Sequence, residues 1–284
     1  MAFKDNLFRM DLKDEKHPQG APVLLRSEKG FNWRPQFSPD GKRVVFESND
    51  LGYSDLWMCD RDGSHCGPIT SLHGTAGAAR WSPDGRFIAF EFRPKEHSEV
   101  YLLEVGGGVP HLLPTLPGAD NGGPSWSRDG KSIYFYSDRG GEPFQLWKIP
   151  ATGGTPVQIT KNGGVFAMES ADGRSLYYVK FESPGIYRMP LQGGKEERVL
   201  DRSGGPNWFN WALTQNVIYF RDTKNHDTVG VLNLLDVATG KISTVATTDQ
   251  AGGLGLDVST DGRSIIYDDK GDAESTIMLV KNFR

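Results

Sequence analysis

One five-residue phrase organises the chain. Phe37 to Gly41 (FSPDG) returns as Trp81 to Gly85 (WSPDG) and Trp126 to Gly130 (WSRDG), then in weaker form as Glu169 to Gly173 and Val258 to Gly262. With the aspartates Asp40, Asp84, Asp129, Asp172 and Asp261 as a ruler, the steps are 44, 45, 43 and 89 residues. The last step is about twice the others, so a copy is hidden within it. It is found at FNWALTQNVIYF, where Trp211 fills the aromatic slot and Thr214-Gln215-Asn216 replaces the turn. Six copies with a period in the forties, each with about four strands, read as the blades of a propeller.

Each copy repeats one plan. A strand runs into the turn, and a second leaves it at once: RVVFES, FIAFEF, SIYFYS, SLYYVK, VIYFRD and SIIYDD. These runs are rich in β-branched and aromatic residues, as strands are. A third strand (DLWMCD, EVYLLE, QLWKIP) and a short fourth (GPIT, HLLP, VQIT) follow a polar stretch and a second turn. With 37% hydrophobic residues, 35 Gly and 17 Pro, the chain favours short strands and tight turns over packed helices. The expected fold is all-β, a single six-bladed propeller over 1–284 with four-stranded antiparallel blades. The blades fall at about 31–70, 76–113, 121–160, 164–200, 207–247 and 253–284.

The phrase itself reads as a turn. Asp-Gly between apolar strands is a hairpin signal because both residues tolerate positive φ. Pro39 and Pro83 fix their own φ just before it. Five equivalent catalytic aspartates on one chain would be odd chemistry.

The sixth copy ends without a fourth strand, and the start of the chain supplies candidates. Residues 1–26 are expected to close the ring, with PVLLR (22–26) as the missing fourth strand; closure removes an open sheet edge. NLFRMDL (6–12) duplicates TIMLVK (276–281), and either can be the third strand. The chain thus reads as starting inside a repeat, as a fragment of a longer protein would.

The segments RPQFSPDGKRVVFESN, ARWSPDGRFIAFEFRP and PSWSRDGKSIYFYSDRGG resemble TolB-type, WD-like propeller repeats. The order of variants, and the ending IMLVKNFR, are similar to the C-terminal propeller region of bacterial winged-helix transcriptional regulators. The resemblance implies a sensor or scaffold, and a periplasmic location. It carries no catalytic residue to this chain, and the fold alone does not fix function.

Charge and hydropathy narrow the partners. Thirty-two basic and 36 acidic residues give a net charge of −4 with no Lys/Arg run, which argues against direct nucleic-acid binding. No run approaches ~20 apolar residues, so no membrane span is expected, and the opening MAFKDNLFRMDL lacks the apolar core of a signal peptide. The expected partner is a protein or a small polar ligand at the top face of a monomeric ring.

Two columns of the innermost strands frame that face. Phe37, Trp81, Trp126, Glu169, Trp211 and Val258 form the first, expected in the inter-blade core. Glu169 breaks it; a channel-side ligand contact and a local salt bridge are both open to it. One position earlier stand Gln36, Arg80, Ser125, Met168, Asn210 and Asp257, which alternation turns towards the channel as a polar funnel. Trp33 and Trp208 join Gln36, Arg80, Glu169, Asn210 and Asp257 as the expected ligand-binding residues. Within NWFNW (207–211), Trp208 is the expected exposed anchor.

No catalytic residue, cofactor or metal site is expected. There is no Gly-x-Ser-x-Gly elbow and no phosphate loop. DRDGS lacks the third ligand and distal Glu of a Ca²⁺ loop. Cys59 and Cys66 flank one hairpin and can face each other; buried thiols are expected, with a disulfide as the alternative. The alternative reading is an enzyme, a metal-assisted lyase or a lactonase/hydrolase, with its site at the channel mouth and His97 and His226 meeting across the ring.

Overall fold

The computed structural model describes residues 4–27, 30–201, 209–223, 230–248 and 253–271. Each blade begins with an inner strand, and the inner strands touch in sequence order around an axis. Asn32–Phe37 packs against Thr75–Trp81, Thr75–Trp81 against Asn121–Trp126, and Asn121–Trp126 against Val165–Glu169. Trp211–Leu213 meets Leu256–Val258, which returns to Asn32–Phe37. Six antiparallel sheets result, and the described residues contain no helix: the chain is an all-β, six-bladed propeller.

The ring closes through the start of the chain. In the last blade, Ser264–Lys270 pairs with Leu256–Val258 on one side and with Asp5–Asp14 on the other. Val23–Arg26 then pairs with Asp5–Asp14 as the outermost strand. The N-terminal segment therefore supplies three strands, Asp5–Asp14 in the third place and His17–Pro18 and Val23–Arg26 both paired to its outer side. The rival candidate, 276–281, lies outside the described residues. Alternation explains how firmly Asp5–Asp14 is held. Leu7 packs on one side with Phe37, Phe46 and Ile266, whereas Met10 and Leu12 pack on the other with Tyr219 and Leu232.

The repeated phrase builds one turn five times. Ser38 Oγ donates to Asp40 Oδ1 at 2.6 Å, Lys42 N donates to the same oxygen at 3.1 Å, and Arg43 N donates to Ser38 Oγ at 2.9 Å. The same three bonds recur around Asp84, Asp129, Asp172 and Asp261. The following glycine takes φ between 67° and 70° in every copy. Hydrogen bonds from Ser and backbone hold all five carboxyls below the usual carboxylate range.

Two details depart from the sequence expectations. Cys59 and Cys66 form a disulfide rather than two thiols. Met58 pairs with Gly67 across that hairpin, so the next residues in register are the two cysteines. In the fifth blade, Thr214 N donates to Val217 O and closes a shorter hairpin. The pair beside the turn is Leu213 with Ile218, where the other blades have Phe37–Val44 or Trp81–Ile88. Leu213 and Ala212, not Trp211 and Asn210, therefore hold the two column positions of this blade.

Candidate functional site

At the end of the ring away from the Asp-Gly turns, the inner strands are irregular. The pairing register shifts between Trp33 and Gln36, Gly77 and Arg80, Gly122 and Ser125, and Val165 and Met168. Each bulge holds one residue in the left-handed region: Arg34 at φ 52°, Ala78 at 51°, Gly123 at 53° and Phe166 at 51°. These are equivalent positions of four blades. A non-glycine residue there costs on the order of 1–3 kcal/mol, and such strain clusters at functional sites.

The second strands place one side chain per blade beside these bulges: Glu47, Glu91, Tyr136, Val179, Arg221 and Asp268. Their polar members tie one blade to the next. Glu47 Oε1 accepts from Ala78 N at 2.5 Å and from Arg34 Nη1 at 3.0 Å. Glu91 Oε2 accepts from Gly123 N at 2.9 Å and from the Tyr136 hydroxyl at 3.1 Å. Asp268 Oδ2 accepts from Leu254 N at 2.7 Å within its own blade, its carboxyl also takes the Arg34 backbone amide of the first blade, and Arg221 Nη1 of the fifth blade donates to Asp268 O at 2.6 Å. Gly77 makes the first tie possible, because a Cβ there would stand 2.7 Å from the Glu47 carboxyl.

Burial shapes the charges. Desolvation pushes the Glu47 carboxyl up, with Glu91 adding to the shift and Arg34 and the Ala78 amide opposing it. Burial raises Asp257 to about 6 against the pull of Arg80 and the Phe37 amide, and raises Asp268 to about 7. Burial works against the Arg34 charge, but Glu47 and Glu91 outweigh it and its pKa is raised. The Arg34 guanidinium also lies over the Phe209 ring, 3.9 Å from its centroid.

Between the first two blades this mouth opens into a cleft of about 520 Å³. Among its lining residues, Phe31 and Trp33 stack at 3.8 Å, and Tyr53 meets His73 edge-on at 5.2 Å. Arg34, Glu47, Gly77 and Glu91 line it towards the channel.

The expected site residues are distributed as follows. Trp33 lines the cleft and donates from Nε1 to Asp5 Oδ2 at 2.6 Å. In the channel column, Gln36 Oε1 accepts from Trp81 N at 2.9 Å and Asp257 Oδ2 from Phe37 N at 2.8 Å. Both therefore bond the blade that follows them round the ring. Arg80 sits in the field of Asp257, Arg34 and Glu47. Asn210 is buried and donates from Nδ2 to Gly253 O. Glu169 lies on the seam between the third and fourth blades, where Tyr134 Oη donates to Oε1 at 2.7 Å and Arg128 N to Oε2 at 2.9 Å. Lys148 Nζ stands 3.8 Å from it. Trp208 and His226 lie outside the described residues, and His97 stands 3.9 Å from Asp120. Among the described residues, no three His, Cys, Asp or Glu side chains converge as metal ligands would.

Arg34, Glu47, Glu91 and Asp268 escaped the sequence reading. A signal existed: RVVFES, FIAFEF and SIIYDD each carry an acid in a strand that is otherwise buried. Aligned on the turn, the second strands put these acids in one column.

A family model described as the TolB beta propeller domain matches residues 23–183. An uncharacterized protein of Agrobacterium fabrum is 25% identical over 230 residues, 71% of this chain and 74% of that protein. The Tol-Pal system protein TolB of Bordetella pertussis is 37% identical over 142 residues, half of this chain but only 31% of that protein. Among solved structures, a protein of Agrobacterium tumefaciens assigned as a TolB superposes with a TM-score of 0.75 at 21% identity, covering 96% of this chain and all of the other. TolB of Acinetobacter baumannii gives a TM-score of 0.68 at 18% identity, covering 94% of this chain and 64% of the other.

Proposed function

The chain belongs to the TolB beta propeller family, and from that premise we propose that it is a non-catalytic, protein-binding propeller whose mouth is the recognition surface. In this reading it serves as the sensor or scaffold part of a larger bacterial regulator located in the periplasm. The observation that carries it is the mouth itself, where strained residues, buried charges and the aromatic side chains Phe31, Trp33 and Tyr53 gather at one end of an otherwise regular ring. Exposed aromatics around a polar centre are the usual composition of a protein-recognition surface. The Cys59–Cys66 disulfide fits an oxidising compartment. The Tol-Pal relative is a member of a multi-protein system by its name.

The test is affinity capture from the envelope fraction of the native organism. Wild-type chain and a Trp33→Ala/Tyr53→Ala variant would be compared with Ser127→Ala at the opposite end. The reading expects proteins retained by wild type and Ser127→Ala but lost by the mouth variant. If no captured protein distinguishes the three, the mouth is not the recognition surface.

A further inference from the structure

The geometry points to the cleft between the first two blades as the seat of an organic monocation, an alkylammonium or guanidinium group presented by a protein partner. This rests on the reading that the mouth binds protein, and it names the chemistry of one contact.

The cleft has the parts such a group needs. Its floor carries two carboxyl groups and one guanidinium, Glu47, Glu91 and Arg34, so the acceptor oxygens outnumber what one guanidinium reaches, and an entering cation would favour the charged form of both acids. Arg34 does not satisfy both acids. Its Nη1 bonds Glu47 Oε1 at 3.0 Å but stands 3.9 Å from Glu91 Oε1, beyond hydrogen-bond reach. Glu47 Oε2 and Glu91 Oε1 accept no hydrogen bond from the described residues; the bonds these side chains do make use Glu47 Oε1 and Glu91 Oε2. Glu47 is only 4% exposed and lines the cleft, and the nearby Arg34 Nε is buried without a partner, so the polar groups of this floor are not all satisfied from within the protein.

The walls say which cation. The stacked Phe31–Trp33 pair and the Tyr53–His73 pair both line it. Ring faces attract weakly hydrated organic cations through the ring quadrupole. A compact, strongly hydrated metal ion gains little from such walls. Tyr53 is half exposed, with a relative accessibility of 50%, and stands where an entering side chain would pass. The volume, about 520 Å³, exceeds what one side-chain head fills and leaves room for the backbone that presents it.

The test uses the full chain labelled with 5-fluorotryptophan, the Trp33 resonance being assigned by Trp33→Phe. The probes are the N-acetyl, N-methylamide derivatives of lysine, arginine and norleucine, together with tetramethylammonium. We expect saturable shifts of Trp33 with the lysine or arginine probe and at least tenfold weaker binding of norleucine. Tyr53→Ala weakens the cationic probe at least fivefold, whereas Tyr53→Phe keeps it. Glu47→Gln weakens it at least tenfold, and if that variant does not fold, the Tyr53 pair carries the test. Equal binding of norleucine overturns the proposal, as does cation binding indifferent to Tyr53→Ala. Tetramethylammonium binding as tightly as the lysine probe overturns the protein source in favour of a free small cation. If the probes fail while mouth-dependent capture persists, only this inference falls; if both fail, the proposed function falls with it.

Discussion

At the hairpin end, five blades make the same three hydrogen bonds within six consecutive residues, and each set is complete inside its own blade. At the mouth, the polar bonds run from one blade to the next and only some blades carry them: the acid-to-bulge bond is made by Glu47 to Ala78 and by Glu91 to Gly123, Val179 has no carboxyl to make it, and Arg221 instead donates to Asp268 O. The hairpin end is built by repetition and the mouth by exception. Repeats fix a scaffold cheaply, and departures from local rules are where function is added.

The largest effect should come from opening the ring. Deleting residues 1–26 removes three strands of the last blade and the buried Leu7, Met10 and Leu12, which serve both neighbouring seams. The expected outcome by circular dichroism is loss of the cooperative melt or a fall in Tm of more than ~15 °C. An unchanged melt would mean that closure is made elsewhere.

Next in size is the mouth. Glu47→Ala leaves the Ala78 amide without its acceptor and takes from Arg34 its closest carboxylate. Breaking a buried pair in this way costs about 3–5 kcal/mol, or roughly 10 °C in Tm. A loss below ~1 kcal/mol would show that the ties between blades are dispensable.

The two ends should also answer pH in opposite directions. The turn aspartates have lowered pKa values, so the stability they give is present above the ordinary carboxylate range and is lost as pH falls through it. Asp257 at about 6 and Asp268 at about 7 are raised by burial, so the folded state holds their protons more tightly than the unfolded chain does. Their contribution is greatest below ~4 and declines as pH rises through 6 and 7. Asp268→Asn, which cannot ionise, should therefore gain a few degrees in Tm relative to wild type between pH 5 and pH 8. A constant difference across that range would place the titration elsewhere.

The smallest effect belongs to a single turn. Ser127→Ala removes the hydroxyl that bonds Asp129 and Ser132, costing about 1 kcal/mol, or 2–4 °C. Ser170→Ala should cost nearly the same, because its turn is a copy. A difference of several degrees between them would break the equivalence of the blades.

The hairpin end was legible because its bonds are local. Ser, Asp and Gly at fixed offsets specify the turn without knowledge of any other blade, so spacing alone gave the blade count and the N-terminal closure. The mouth was less legible because its bonds join residues 31 or 32 positions apart, as Glu47–Ala78 and Glu91–Gly123 do. No offset within one repeat signals them. Blade five shows the other limit. Its shorter turn moved Leu213 into the slot assigned to Trp211, since a change in loop length is invisible until the ladder is paired. Glu169 looked exceptional in its column, and its partners, Tyr134 and Arg128, come from the neighbouring blade.

The division between the two ends is tested most directly by one paired measurement. Tyr53→Ala and Trp33→Ala at the mouth, and Ser127→Ala and Ser170→Ala at the turns, would each be scored for Tm and for retention of the envelope protein captured by wild type. The account predicts a crossover: Tyr53→Ala loses at least tenfold in retention with Tm nearly unchanged, Trp33→Ala loses retention together with some Tm because Asp5 loses its donor, and turn variants lose 2–4 °C and retain the partner fully. Turn variants that lose the partner while still folded, or mouth variants that keep it, would contradict the account.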